Sequence, residues 1–220
     1  MKRRDFIATL GAAAAWPVAA RAQQPAMPLI GFLHGGSQRE WTHLIDAFRE
    51  GLSQAGFVEG RNIAGMEIRW AEGQFDRLPG MATDLVNRQP ALIATDGGTV
   101  TAQAAKRATS TIPIIFTLGG DPVKSGSVAS LNRPGGNLTG VSFLLNALVG
   151  KRLELLREFA PSSGSIGMLV NLRNPIASDD VRDVQDAARK LGLQTHVGNA
   201  SNTSEIDAAF DGLRRRKSAH

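Results

Sequence analysis

Two rhythms of apolar residues alternate along most of the chain. Leu29-Ile30-Gly31-Phe32-Leu33 is a continuous apolar run ending in His34-Gly35-Gly36-Ser37, the pattern of a buried strand entering a turn. Trp41, Leu44, Ile45, Phe48 and Leu52 then recur at helical spacing, and Gly56 marks the helix stop. Met66 to Trp70 alternates as a second strand. Asp76 reads as the N-cap of a helix carrying Leu78, Met81, Leu85 and Val86 on one face. Ala91 to Thr95 is a third strand, ending in Asp96-Gly97-Gly98-Thr99, and a small-residue helix with Thr99 at its cap follows. Ile112 to Thr117 is a fourth strand, running into Leu118-Gly119-Gly120-Asp121-Pro122.

Near-continuous apolar strands alternating with helices predict a parallel sheet covered on both faces. Each strand runs into a Gly-rich loop, so these loops should gather at the carboxyl edge, where open α/β sheets bind ligands. The rhythm breaks at Asn132 to Asn137, a turn-rich stretch before a strand over Leu138 to Phe143. It resumes with a long helix over Asn146 to Phe159, a strand over Ile166 to Asn171 and a helix over Ser178 to Leu191. A short strand over Gln194 to Val197 and a helix from Thr203 to Arg215 close the pattern. The fold class is α/β, with a complete N-terminal parallel-sheet lobe over 29–143 and a partial second α/β lobe over 144–220. Ile206, Phe210 and Leu213 of the last helix are expected to lack a sheet to cover.

The chain has 220 residues, a formal net charge of +5 and no cysteine. The absence of cysteine excludes a disulfide framework, thiolate metal ligation and a cysteine nucleophile. The charge is concentrated at the two ends. Lys2, Arg3 and Arg4 precede an uncharged segment over Phe6 to Ala20, and Ala20-Arg21-Ala22 places small residues where a signal peptidase reads. Residues 1–22 are therefore read as a signal peptide cleaved after about Ala22, with a linker over 23–28. Arg3-Arg4-Asp5-Phe6-Ile7 resembles the twin-arginine export signal. Arg214, Arg215, Arg216 and Lys217 hold more than the whole of the remaining excess, which leaves the body slightly acidic. The body between has no basic stripe with interleaved aromatics, which argues against a nucleic-acid partner.

Several ordered strings carry a family resemblance. They are Gly56-Phe57-Val58-Glu59-Gly60-Arg61-Asn62-Ile63, Arg69-Trp70-Ala71-Glu72-Gly73, Gly119-Gly120-Asp121-Pro122-Val123, Leu131 to Asn137, Thr139-Gly140-Val141-Ser142 and Lys151 to Leu156. Over 29 to 213 the chain resembles the ABC transporter substrate-binding proteins related to tryptophan-binding lipoproteins. The resemblance implies a type I periplasmic-binding-protein-like fold, in which two lobes close over a solute and deliver it to an inner-membrane ABC permease. It implies a periplasmic location, a monomer if intact and no enzymatic activity. Members continue through the second lobe and return to the first, so the chain reads as a truncated or frame-shifted member lacking roughly 100 residues. Alternatives stand beside this reading: an exported α/β enzyme such as a hydrolase, a sensing domain partnering a membrane receptor, or a truncated product without function.

The candidate ligand residues lie on the strand-end loops. Gly36 and Ser37, then Gly98 and Thr99, would bring backbone N–H groups and hydroxyls to a helix start that favours an anionic group. Gly120 and Asp121 would meet a ligand amine through a charge-assisted bond. Ser142 lies near the predicted crossing, and Asn171 and Asn174 would face the cleft from the second lobe. Each has a structural alternative: turn glycines, a capping Thr99, a helix start at Asp121-Pro122, and turn asparagines. Trp41 and Trp70 read as core aromatics. No catalytic set is evident, although Asp96 and Asp121 could form an acid–base pair. His34, His43, His196 and His220 lack metal-ligand spacing, and neither a metal nor a cofactor is expected.

Overall fold

The computed structural model describes residues 27–217, so the signal-peptide reading of 1–22 lies outside it. Strands β1 (Leu29–His34), β2 (Gly65–Trp70), β3 (Leu92–Asp96), β4 (Ile114–Leu118) and β5 (Leu138–Ser142) form one sheet. Their order is β2-β1-β3-β4-β5 and every neighbouring pair is parallel. Alternation along the strands divides the core between the two faces. Leu33, Ile93, Ile114 and Phe116 pack against α2 (Leu78–Asn87) and α3 (Thr99–Ala108). Phe32 and Ala94, with Ile115, pack against Ile45 and Phe48 of α1 (Gln38–Gln54). Leu33, Ile93 and Ile114 are completely buried, each worth about 1.5–3 kcal/mol relative to exposure.

The strand order reverses direction between β1 and β3. One connection from this seam leads outward to β2 and the other to β4 and β5, which opens a crevice at the carboxyl ends of β1 and β3. β4 and β5 are joined without a helix. Instead, the turn-rich segment between them buries Pro122, Ser127 and Val128, and α3 holds it in place. Gln103 Nε2 donates to the Ser125 carbonyl at 2.9 Å, and Lys106 Nζ donates to the carbonyls of Gly126 and Ser127 at 2.7 and 3.0 Å.

After β5 a 3-10 turn over Leu145–Leu148 leads into α4 (Val149–Phe159). Strands β6 (Ser165–Val170) and β7 (Gln194–Asn199) form a separate two-stranded parallel sheet, accompanied by α5 (Ala177–Lys190) and α6 (Thr203–Lys217). Leu153, Ile166, Ala188 and Leu193 make its core. Leu213 of α6 covers this sheet, because a Cβ on Gly167 or Gly198 would lie 3.2 or 3.3 Å from its methyls. That corrects the expectation of an uncovered Leu213, whereas Ile206 and Phe210 remain 36% and 51% exposed.

Four local expectations change for identifiable reasons. Asp76 does not cap a helix; it sits in a 3-10 turn over Phe75–Arg77, and α2 begins at Leu78 with Pro79 in its first turn. Thr99 is the first residue of α3, and the cap is Gly98 at φ +105°. Asp121-Pro122 starts no helix; the Asp121 carboxylate accepts from the Val123 and Lys124 N–H groups and closes a turn. Trp41 is 40% exposed and forms part of an aromatic cluster at the sheet edge rather than the core.

Candidate functional site

The loops after β1, β3 and β4 gather at one edge of the large sheet because all five strands run the same way. Gly35 N–H donates to the Asp96 carbonyl at 3.2 Å, which draws the first two loops together. The approach requires glycine. A Cβ on Gly97, itself at φ +88°, would lie 2.5 Å from the Gly35 nitrogen. Gly120 passes less tightly by Thr99, whose hydroxyl would be 3.2 Å from a Cβ there. Thr99 is 3% exposed, so its placement is set by packing as well as by its position at the helix start.

A cleft of about 370 Å³ opens between this edge and the second sheet's elements, a size suited to a small organic ligand. One wall is Thr99, Gly120, Asp121, Lys124 and Ser125; the other is Asn146, Ile176 and the first turns of α5, with Asp179, Asp180, Arg182 and Asp183. One contact spans it: Lys124 Nζ bonds both oxygens of Asp183, at 2.9 and 2.7 Å. Within the second wall, Asn146 Nδ2 donates to Asp180 Oδ1 at 3.0 Å. The hydrogen bond to Asp183 holds the Lys124 ammonium above its ordinary pKa. Burial pushes the Asp180 carboxyl up, and the nearby Asp183 and Asp179 charges add to this against the opposing Asn146 hydrogen bond. The α3 N-terminus on one wall favours a carboxylate, while Asp121 and Asp180 offer anionic partners to an amine.

The structure brings Thr99, Gly120 and Asp121 to the cleft, with Gly98 capping the helix behind them. Gly36 and Ser37 lie on the neighbouring loop, where Gly36 N–H donates to His34 Nδ1 and the Ser37 hydroxyl donates to Glu40. Ser142 lies behind Gly120, donating to its carbonyl at 2.5 Å and accepting from Leu144 N–H. Asn171 and Asn174 close the turn before α5 through their side-chain oxygens, which accept from Arg173 and Ile176 N–H. The sequence reading missed Asn146, Lys124 and the acidic start of α5. Asp179-Asp180 opening an amphipathic helix was the available signal, but it equally describes a solvated first turn.

A separate cavity of about 340 Å³ lies between β7 and α6, around Gly198, Ala209, Gly212 and Leu213. It holds none of the candidate ligand residues, and its small side chains mark imperfect helix-on-sheet packing. Among the described residues there is no group of His, Asp and Glu arranged to hold a metal, and no helix long and apolar enough to cross a membrane.

Comparison with known proteins places this geometry. The profile of the family described as ABC transporter substrate binding protein matches residues 37–219. A tyrosine-binding protein of Clostridioides difficile (strain R20291) is 32% identical over 166 residues, covering 76% of this chain and 47% of the relative. A conserved domain protein from Vibrio cholerae O1 biovar El Tor str. N16961 superposes with a TM-score of 0.74 at 27% identity, over 85% of this chain and 62% of that one. The ABC domain from Streptococcus pneumonia, solved in complex with L-Trp, superposes with a TM-score of 0.70 at 24% identity, over 86% of this chain and 62% of that one. The chain therefore spans about half the length of the curated relative. The architecture is that of the type I periplasmic-binding-protein-like folds.

Proposed function

Because the chain belongs to the ABC transporter substrate-binding protein family, we propose that it captures a small amino-acid-like solute between its two sheets for an ABC importer. The cleft carries this reading, since it sets a helix N-terminus with Thr99 opposite an acidic helix start with Asp180. In the proposed pose the solute's carboxylate lies at the start of α3 and its ammonium group lies between Asp121 and Asp180. The names of the relatives, one tyrosine-binding and one holding L-Trp, support a zwitterionic ligand with an aromatic side chain. The two sheets then act as two lobes, 29–143 and 144–220, with Lys124–Asp183 as the contact between them. The partners are the solute and an inner-membrane permease, the protein acts as a monomer, and no nucleic acid is involved. Export to the periplasm rests on residues 1–22 and on the family.

Titration calorimetry with L-tryptophan, L-tyrosine, tryptamine and indole-3-propionate tests the pose. The two amino acids are expected to bind, and each single-charge analogue to bind at least about tenfold more weakly. Asp121→Asn should weaken the amino acids by a similar factor and leave indole-3-propionate unchanged. Folded protein that gives no heat with either amino acid would overturn the reading.

A further inference from the structure

Among the described residues three that are not glycine have positive φ: Glu72, Gln89 and Leu144. The first two lie in exposed connections of the large unit, whereas Leu144 lies on the segment that carries the chain from the five-stranded sheet to the two-stranded one. Its backbone, at φ 48° and ψ 39°, is left-handed, a conformation rare for a residue with a bulky side chain. The side chain is half-buried and lines a cavity of about 230 Å³ with Phe116, Pro122 and Val128. Around it the crossing grips the loop after β4 carbonyl by carbonyl. Phe143 N–H donates to Leu118 at 3.0 Å, Leu145 N–H to Gly119 at 2.7 Å, and the Ser142 hydroxyl to Gly120 at 2.5 Å. Leu144 N–H itself donates to Ser142 Oγ at 3.2 Å. Downstream, the 3-10 turn over Leu145–Leu148 runs directly into α4, and Leu153 of α4 packs with Ile166 of β6 and Ala188 of α5.

We propose that Leu144 is a positioning residue whose left-handed turn sets the spacing between the two walls of the cleft, and with it the distance from Asp121 to Asp180. Both walls are referenced to the same short segment. On one side, the crossing holds the carbonyls of 118–120, which lead into Asp121 on the first wall. On the other, Asn146 follows two residues after Leu144 and donates to Asp180 on the second wall at 3.0 Å. A right-handed or extended Leu144 would redirect the chain, so Leu145 N–H could not reach Gly119 while Asn146 stayed at Asp180. Lys124–Asp183 ties the walls independently of this turn, but its lysine is 60% exposed on a flexible stem and accommodates a range of spacings. That pair holds the walls together, and Leu144 fixes how far apart they stand. Strained residues persist where the surrounding structure over-determines them; here the cavity packing and the hydrogen bonds on both sides of Leu144 do so. The consequence for affinity rests on the proposed solute reading; the spacing of the walls does not.

Two measurements on the full chain separate these levels. The chain has no cysteine of its own, so Arg107→Cys on α3 and Lys190→Cys on α5, both exposed, allow one spin label on each unit. Pulsed electron paramagnetic resonance without ligand is expected to give a single narrow distance distribution. Leu144→Gly, which admits the left-handed turn but no longer enforces it, should broaden that distribution at least about twofold. Leu144→Asn also loses the apolar side chain but keeps a preference for the left-handed backbone, and should retain the narrow distribution. Calorimetry with L-tyrosine as the probe should show affinity about tenfold weaker in Leu144→Gly and within about twofold of wild type in Leu144→Asn. Thermal melts check that each variant is folded. A folded Leu144→Gly with the wild-type distribution overturns the proposal, because Leu144 is then only a packing residue. A distribution as broad in Leu144→Asn as in Leu144→Gly overturns it as well, because side-chain packing and not the turn then sets the spacing. If Leu144→Gly does not fold, Leu144→Asn decides: wild-type distances support the proposal and shifted or broadened ones refute it. If L-tyrosine does not bind the wild-type chain, the solute reading has failed, and the distances alone decide the role of Leu144.

Discussion

Asp180 shows how a single residue reports on the cleft. It sits at the start of α5, partly buried, with one oxygen accepting from Asn146. Burial is the leading cause of its raised pKa, from an ordinary 3.8. A carboxyl whose pKa rises on folding binds its proton more readily in the folded state, so stability falls as pH climbs from the ordinary value through the raised one. Asp180 is therefore a cost at neutral pH and none below its unfolded pKa. Asp180→Asn keeps an oxygen for the Asn146 amide and removes the charge. Thermal melts should show the variant about 1–3 °C more stable than wild type at pH 7, with the gap closing near pH 3; a lower melting temperature at pH 7 would show that the charge is favourable where it stands. The same variant should bind amino acids more weakly, since stability and function pull apart at such a site. Asp121 and Thr99 could be singled out from the sequence because they follow apolar strands in glycine-rich loops. Asp180 and Asn146 could not, because the wall they form exists only once two elements far apart in sequence meet.

The elements themselves were largely readable from periodicity, and their ends were not. Strand and helix identities follow from apolar spacing alone, and even β5 and the short α2 come out within a few residues. The ends depend on backbone demands that compete locally. Asp76 has a good capping side chain, yet Pro79 in the first turn sets the start of α2 at Leu78. Thr99 has one too, yet the exit from β3 needs two residues at positive φ, which places Gly98 at the cap and Thr99 inside the helix. The β4–β5 connection was legible only as turn-rich sequence, because its order comes from α3. Lys106 is the main clamp, with two carbonyl acceptors in a segment that has no regular ladder of its own. Lys106→Met keeps the apolar stem and removes the donor. It is expected to lower stability by roughly 1–2 kcal/mol, the usual worth of hydrogen bonds to a charged group with some loss to exposure. Amide exchange should rise at 125–128 and leave β1 and β3 unaffected; a uniform rise would mean that the clamp supports the whole sheet.

At the scale of the molecule, the two sheets are unequal. The five-stranded sheet has core on both faces, with Leu33, Ile93, Ile114 and Leu118 all nearly or fully buried. The two-stranded sheet has a smaller core, and much apolar surface beside it stays in water: Phe159 is 92% exposed and Leu156 50%. A sheet of two strands has no central strand, so each strand has one unpaired edge and depends on its helices for protection. Glycine at 167 and 198 lets α6 approach through Leu213, but Gly198 also lines the neighbouring cavity of about 340 Å³. Fewer buried contacts and more exposed backbone mean lower local opening free energies. Native-state hydrogen exchange should therefore find β6 and β7 less protected than β1, β3 and β4, and opening without unfolding of the large sheet. A solute that bridges the cleft contacts both units and stabilises only the arrangement in which they meet. It should raise protection in α5 and β6 more than in β1. Equal protection in both sheets without ligand would show that contacts such as Lys124–Asp183 already fold the two into one cooperative unit.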